Sequence, residues 1–359
     1  MKQFIAYILV ALPLFMNAQQ KKQTENLVII TLDGMRWQEV FNGADEALLT
    51  NKKFTRDSAE MAEKYWSAGS EDRRKKLFPF LWSEVAAKGQ LHGNRAYGNF
   101  VNVANPYWFS YPGYNEIFTG YPDDSVNSNN KVWNPNTNVL EFINTQKNYK
   151  GKVAAFSTWD VFPYILNTKR SGLYVNADVD TFKMPGEKWQ LLNDWQFLTT
   201  KPIGVRPDVI TYIAAREYMK TYRPKVLYIA FDETDDFAHG GMYDQYLQSA
   251  QSQDKMIADL WNYIQSTPQY KDKTTLFITC DHGRGDKIKE EWQHHGKKIE
   301  GADQIWFAVI GPDTKAIGEA RQPQQFYQKQ FAASFAAMLG MEFKPAHSTA
   351  AAIDLTLGH

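Results

Sequence analysis

Runs of apolar and β-branched residues recur along the chain, and each stops at a polar residue. Residues 26–32 (NLVIITL) run into Asp33 and Gly34, 152–156 (KVAAF) into Ser157, Thr158, Trp159 and Asp160, 225–231 (KVLYIAF) into Asp232, and 274–279 (TTLFIT) into Cys280, Asp281 and His282. Continuous runs without alternation are those of strands covered on both faces. A further run, 305–310 (IWFAVI), leads into Gly311 and Pro312. Between the runs, apolar positions recur with helical spacing at about 77–88, 137–147, 207–222, 244–265 and 324–339. Strand alternating with helix predicts an α/β fold with a largely parallel central sheet and helices on both faces. Functional groups of such a sheet gather beyond the carboxyl ends of its strands, which brings Asp33, Asp232 and Asp281 toward one edge.

Two segments interrupt the alternation. Residues 42–76 are polar, charged and partly helical in pattern, and include the mixed run EDRRKK; residues 170–205 are rich in Trp, Asp, Lys and Thr with weak periodicity. They read as insertions, either surface decoration or lids over a site. With no internal repeat or low-complexity linker, 19–359 reads as a single domain with insertions at about 42–76 and 170–205. Residues 1–18 combine Lys2, an apolar run from 4 to 16 broken by Pro13, and Ala18 ahead of two glutamines. That is the pattern of a secretory signal peptide cleaved near Ala18, and its apolar run is shorter than the roughly 20 residues of a spanning helix. A secreted or periplasmic protein without stable membrane insertion is expected.

Composition narrows the classes. A chain of 359 residues with 43% hydrophobic content supports a large core and is neither disordered nor fibrous. Lys+Arg and Asp+Glu are equal at 40 each, so no global field recruits a nucleic-acid duplex or an anionic membrane. A single cysteine, Cys280, excludes an internal disulfide. The self-association state is left open.

The candidate chemistry starts at 108–120, WFSYPGYNEIFTG. Pro112 and Gly113 read as a turn, 115–118 as the first turn of a helix, and Gly120 as its end. Ser110, just ahead, is a hydroxyl beside free backbone N–H groups, a place to attack and hold an anion. Metal-type ligands cluster in four other segments: Asp33; Asp235 and His239, four apart in FDETDDFAHGG; Asp281 and His282 in TCDHGRG; and His294-His295-Gly296. Of seven histidines, His239, His282, His294 and His295 fall in these short stretches. Mixed carboxylate and imidazole donors suit zinc or another divalent transition metal better than calcium.

Taken in order, Asp33, the hydroxyl of a motif (S/T)xPxxxxxxTG, DxxxH, DHG and HG resemble the alkaline phosphatase superfamily, most closely its type I phosphodiesterase / nucleotide pyrophosphatase branch, from Val28 to about Pro312. The resemblance implies an alkaline phosphatase-like catalytic domain with two zinc ions. Asp33, Asp281 and His282 would hold one ion, which also touches Ser110, and Asp235, His239 and His295 the other; His295 is chosen over His294 because it immediately precedes glycine. It further implies a small-molecule phosphate ester as substrate, attack by Ser110 through a phosphoseryl intermediate, and Asn130 as hydrogen-bond donor to a nonbridging oxygen, with help from the N–H near Tyr111. The loop leading to Asn130 is one residue shorter than in the branch.

The chain departs from the pattern in two places. Its nucleophile is serine where many members of the branch have threonine, a chemically equivalent choice. Broad monoesterases of the superfamily carry Lys and Arg after the strand corresponding to 152–156, where this chain has Trp159 and Asp160. This tilts the expectation toward phosphodiester or nucleotide substrates, with Lys131, Lys169 and Arg170 as the residues that could restore monoester recognition. The alternatives are a phosphomonoesterase, a sulfatase-like hydrolase and an inactive metal-binding protein. The sulfatase motif requires arginine four residues after its modified residue, where this chain has Tyr114.

Overall fold

The computed structural model describes residues 23–201 and 203–356. The expected signal peptide lies outside the described residues. The strands are β1 (Asn26–Leu32), β2 (Gln90–His92), β3 (Asn99–Asn102), β4 (Val153–Ser157), β5 (Tyr174–Ala177), β6 (Val226–Phe231), β7 (Thr274–Thr279), β8 (Gln304–Ile305), β9 (Phe307–Ile310), β10 (Gly318–Glu319) and β11 (Gln324–Tyr327). Eight of them form one sheet in the order β10-β2-β9-β7-β1-β6-β4-β5, and β11-β3-β8 form a small second sheet.

Within the large sheet, β7, β1, β6, β4 and β5 are mutually parallel, while β9 runs antiparallel to both β7 and β2. All residues of β1, β6 and β7 are buried, as their uninterrupted apolar sequences require of strands covered on both faces. Because β1, β4, β6 and β7 are parallel, Asp33, Ser157, Asp232 and Asp281 emerge at one edge of the sheet. The longest covering helix, Tyr243–Ser266, buries Tyr243, Tyr246, Leu247, Ala250, Ile257, Leu260, Trp261 and Ile264. These positions repeat at helical spacing and form one apolar stripe.

Three expectations change. Residues 324–339 do not form one helix: 324–327 pair with β3 as β11, and the helix is Phe331–Met338. The 305–310 run is divided between β8, in the small sheet, and β9; between them the Trp306 carbonyl accepts from Thr279 and the Trp306 indole donates to the Met35 carbonyl. The segment 170–205 is more than an insertion, since it supplies the edge strand β5 as well as the helix Glu187–Leu198. Residues 42–76 carry short helices at Glu46–Leu49, Ser58–Tyr65 and Ser70–Leu77.

One buried acid joins the long helix to the next element. The carboxylate of Asp254 accepts from the backbone N–H of Phe80 at 2.8 Å and of Leu81 at 3.0 Å, satisfying donors at the start of a helical turn. Burial beside Leu32, Phe78 and Ile257 pushes its pKa up to about 7 despite these bonds. The folded protein therefore holds this proton more tightly than the unfolded chain. The stability from this site is complete below about pH 4 and is lost as pH rises through about 7. Melting temperatures measured from pH 4 to 8 should fall less steeply for Asp254→Asn than for the parent; parallel slopes would refute the assignment.

Candidate active site

Ser110 opens the helix Ser110–Thr119 and is buried. The helix starts earlier than the sequence reading had it, with Pro112 and Gly113 inside its first turn. Proline is tolerated there because that N–H has no intrahelical partner. Gly113 is required sterically: a Cβ would lie 2.5 Å from the Asp281 carbonyl oxygen. Gly120 ends the helix in the left-handed region at φ 70°. Glu116, on the buried face, accepts from the N–H groups of Ala104 and Asn105 and from the Asn105 amide, while Asn105 Oδ1 accepts from the N–H of Tyr107 and Trp108. The backbone approaching Ser110 is thereby pinned to the helix it enters.

Asp33, Asp281 and His282 meet beyond the ends of β1 and β7. His282 Nε2 lies 3.4 Å from Asp33 Oδ1 and 3.5 Å from Asp281 Oδ2. Each side chain is oriented by its other atom: Tyr114 donates its hydroxyl to Asp33 Oδ2 at 2.8 Å, and the Gly34 N–H donates to Asp281 Oδ1 at 3.1 Å. His282 Nδ1 lies 2.9 Å from the Gly283 carbonyl. A carbonyl can only accept, so Nδ1 carries the proton and the Nε2 lone pair faces the two acids. Asp33 Oδ1, Asp281 Oδ2 and His282 Nε2 have no hydrogen-bond partner although buried. Three acceptors turned on one point, without a donor between them, are the arrangement a cation satisfies.

A second set adjoins it. Asp235 and His239 come from the helix Glu233–His239 after β6, with His239 Nε2 3.2 Å from Asp235 Oδ2. His295 Nε2 lies 2.9 Å from His239 Nε2 and 3.7 Å from Asp235 Oδ1. Its Nδ1 is 3.3 Å from the carbonyl of Trp108, which fixes the same tautomer logic as in His282. Trp108 has φ 54°, a left-handed conformation unusual for a bulky residue, and stands two residues before Ser110. The rings of His282 and His295 stack at 3.9 Å, and His282 Nε2 is 3.7 Å from Asp235 Oδ1, so His282 borders both sets. His294 is exposed.

The charge balance follows the geometry. Burial, and then neighbouring carboxylates, push Asp33 and Asp281 above the usual carboxylate range. Burial also acts on Asp235, but the Arg284 guanidinium and then the nearby imidazoles hold it well below that range. Burial and the adjacent His282 keep His295 below its ordinary value, in the neutral form a ligand needs.

The profile of the type I phosphodiesterase / nucleotide pyrophosphatase family matches residues 45–300. The chain belongs to that family. This type I phosphodiesterase-family chain is a hydrolase of phosphoric esters with an alkaline phosphatase-like α/β fold. A comparison with curated proteins returns no match. Among solved structures, it is similar to wild-type alkaline phosphatase PafA at 12% identity, covering 94% of this chain and 99% of the other with TM-score 0.57. It is also similar to the lipoteichoic acid synthase LtaP from Listeria monocytogenes (13% identity, 90% and 74% coverage, TM-score 0.57) and to the 2-O GAG sulfatase BT1596 (12%, 89% and 72%, TM-score 0.50). At these identities the likeness is one of fold.

Asn130 is exposed at the cavity beside Tyr111, and its N–H lies 3.4 Å from Ser128 Oγ. Its neighbour Asn129 reaches the Ser110 helix, accepting from the Tyr111 N–H through Oδ1 at 2.9 Å. Tyr114, where a sulfatase would carry arginine, is fully buried with its hydroxyl on Asp33. Tyr111 is likewise buried, donating its hydroxyl to the Val132 carbonyl.

Proposed function

We propose that this chain is an exported, two-metal hydrolase that uses Ser110 as nucleophile and prefers phosphodiesters to monoesters. Asp33, Asp281 and His282 would hold one ion and Asp235, His239 and His295 the other, with zinc the ion their mixed donors fit best. Such ions polarise a phosphoryl group and favour the ionised form of a nearby hydroxyl. The chain's own part is orientation. Ser110 stands at the first position of its helix, which places its hydroxyl at the positive end of the helix dipole. Asn129, with Oδ1 committed to the Tyr111 N–H, has Nδ2 left to donate to a nonbridging oxygen. Attack by Ser110 Oγ on phosphorus, with loss of the hydroxyl proton, forms the Ser110 O–P bond and breaks the bond to the first alcohol, which leaves protonated; the seryl phosphodiester that remains still carries the second substituent, and water hydrolyses it to free serine and a phosphomonoester.

The diester preference rests on one observation: Lys131, Lys169 and Arg170, the three cations named for the second negative charge of a monoester, are each engaged with other groups. Lys131 pairs with Asp160 at 2.6 Å, Lys169 lies over the Trp133 ring at 4.5 Å, and Arg170 binds Glu141 and the carbonyls of Asn134, Pro135 and Asn136. A cavity of about 300 Å³ beside Tyr111, lined by Ser125, Asn127, Asn130 and Trp133 among others, contains no charged residue and suits a neutral substituent on the phosphoryl group. The sulfatase alternative gains nothing from the site, where Tyr114 is bonded to Asp33.

The test compares kcat/KM on bis-p-nitrophenyl phosphate and p-nitrophenyl phosphate, with the diester expected to be the better substrate. Asp160→Ala frees Lys131, and the monoester-to-diester ratio should rise by about fivefold, the scale of one partly exposed charge. A parent that prefers the monoester would refute the diester reading.

A further inference from the structure

Arg284, in the stretch TCDHGRG, is fully buried, and all three of its guanidinium nitrogens make hydrogen bonds. Nε donates to the Gly34 carbonyl at 3.2 Å and Nη1 to the Gln293 carbonyl at 2.8 Å; Nη2 donates to the Asp235 carbonyl at 3.0 Å and to Asp235 Oδ1. Gly34 follows Asp33, Gln293 precedes His294-His295, and Arg284 itself follows Asp281-His282. One side chain thus ties down every segment that carries a candidate metal ligand. The fit leaves no slack: Gly34 has φ 57°, and a Cβ there would lie 2.7 Å from Asp235 Oδ1 and 2.8 Å from Arg284 Nε.

Charge makes this more than a brace. Asp33, Asp235 and Asp281 converge in the interior, and among the described residues Arg284 is the one arginine or lysine that pairs with any of them. Buried like charges without a counter-ion destabilise a fold strongly. The metal-free protein has to tolerate this cluster before any ion arrives.

We propose that Arg284 is the resident counter-charge of the metal centre, a positioning residue that keeps the ligand cluster assembled while it is metal-free and so presents Asp235 ready for an ion. The inference rests on the metal-centre reading above. Arg284→Gln should therefore lower the melting temperature of the chelator-treated protein by about 8 °C, and that of the zinc-saturated protein by less than half as much, because zinc takes over the charge. Arg284→Lys, keeping the charge without the planar fork, should recover about half of the metal-free loss. Zinc titration against a chromophoric chelator should show weaker binding by about tenfold in Arg284→Gln, since its ligands are no longer held in place.

An equal drop with and without zinc, or a lysine variant no better than glutamine, overturns the proposal and leaves Arg284 as ordinary scaffold. If Arg284→Gln cannot be obtained folded, it is combined with Asp235→Asn. Recovery of a folded metal-free protein in the double variant supports the counter-charge role, and continued failure refutes it. A parent protein that binds no zinc at all is a different outcome, since it defeats the metal-centre reading itself.

Discussion

The Ser110→Ala protein is expected to bind zinc as the parent does and to lose hydrolysis of bis-p-nitrophenyl phosphate by roughly four orders of magnitude or more. Removal of a covalent nucleophile costs on this scale because the remaining site can only orient water, not form the intermediate. Folding should be unaffected, since among the described residues no side chain hydrogen-bonds to the Ser110 hydroxyl and alanine is the best helix former. Rapid-quench trapping of the p-nitrophenyl phosphoryl ester of Ser110 in the parent, absent from the variant, checks the intermediate directly. Neighbouring substitutions separate the roles: Asn129→Ala should lose about 100-fold in kcat, the cost of one oxyanion donor, while Asn130→Ala, which only widens the substituent cavity, should lose less than about tenfold. Substantial turnover in Ser110→Ala would remove the nucleophile from the proposal.

His282→Ala should have the second largest effect. The ring borders both acceptor sets, with Nε2 within 3.7 Å of Asp33, Asp281 and Asp235. Its loss opens one set and withdraws the imidazole stacked on His295 in the other. Elemental analysis after dialysis should give two zinc ions per chain for the parent and fewer than one for the variant. Activity should drop by at least about 10³-fold, and added zinc should no longer raise the melting temperature, because linkage requires a site in the folded state. A variant that retains both ions would show that His282 is not shared between the two sets.

How much of this was readable beforehand depends on how local each signal is. The ends of β1, β6 and β7 were legible because a strand buried on both faces announces itself by unbroken apolar sequence, and the polar residue that stops it is the one delivered to the edge. The start of the Ser110 helix was not legible. Pro112 and Gly113 carry turn signals, and only the contact of Gly113 with Asp281, from a strand far away in sequence, explains why glycine stands there. Residues 324–327 look helical in pattern but become β11 because β3 offers them a partner. Arg284 left no trace that spacing could reveal, since its bonds go to backbone carbonyls of other segments, which carry no residue identity.

The contact between Gly113 and the Asp281 backbone has a consequence for how this enzyme can change. With no space there for even a methyl group, the Ser110 helix and the strand end carrying Asp281 and His282 cannot slide past one another. The proposed reaction geometry is locked into the interior, whereas the cavity proposed for the substituent is walled by residues of the 125–135 loop. New substrate preferences are therefore accessible by varying that loop around a retained Asn129 while the reacting atoms stay in register, and mutational libraries directed there with Asn129 kept should yield altered specificity at far lower rates of inactivation than libraries directed at 110–119.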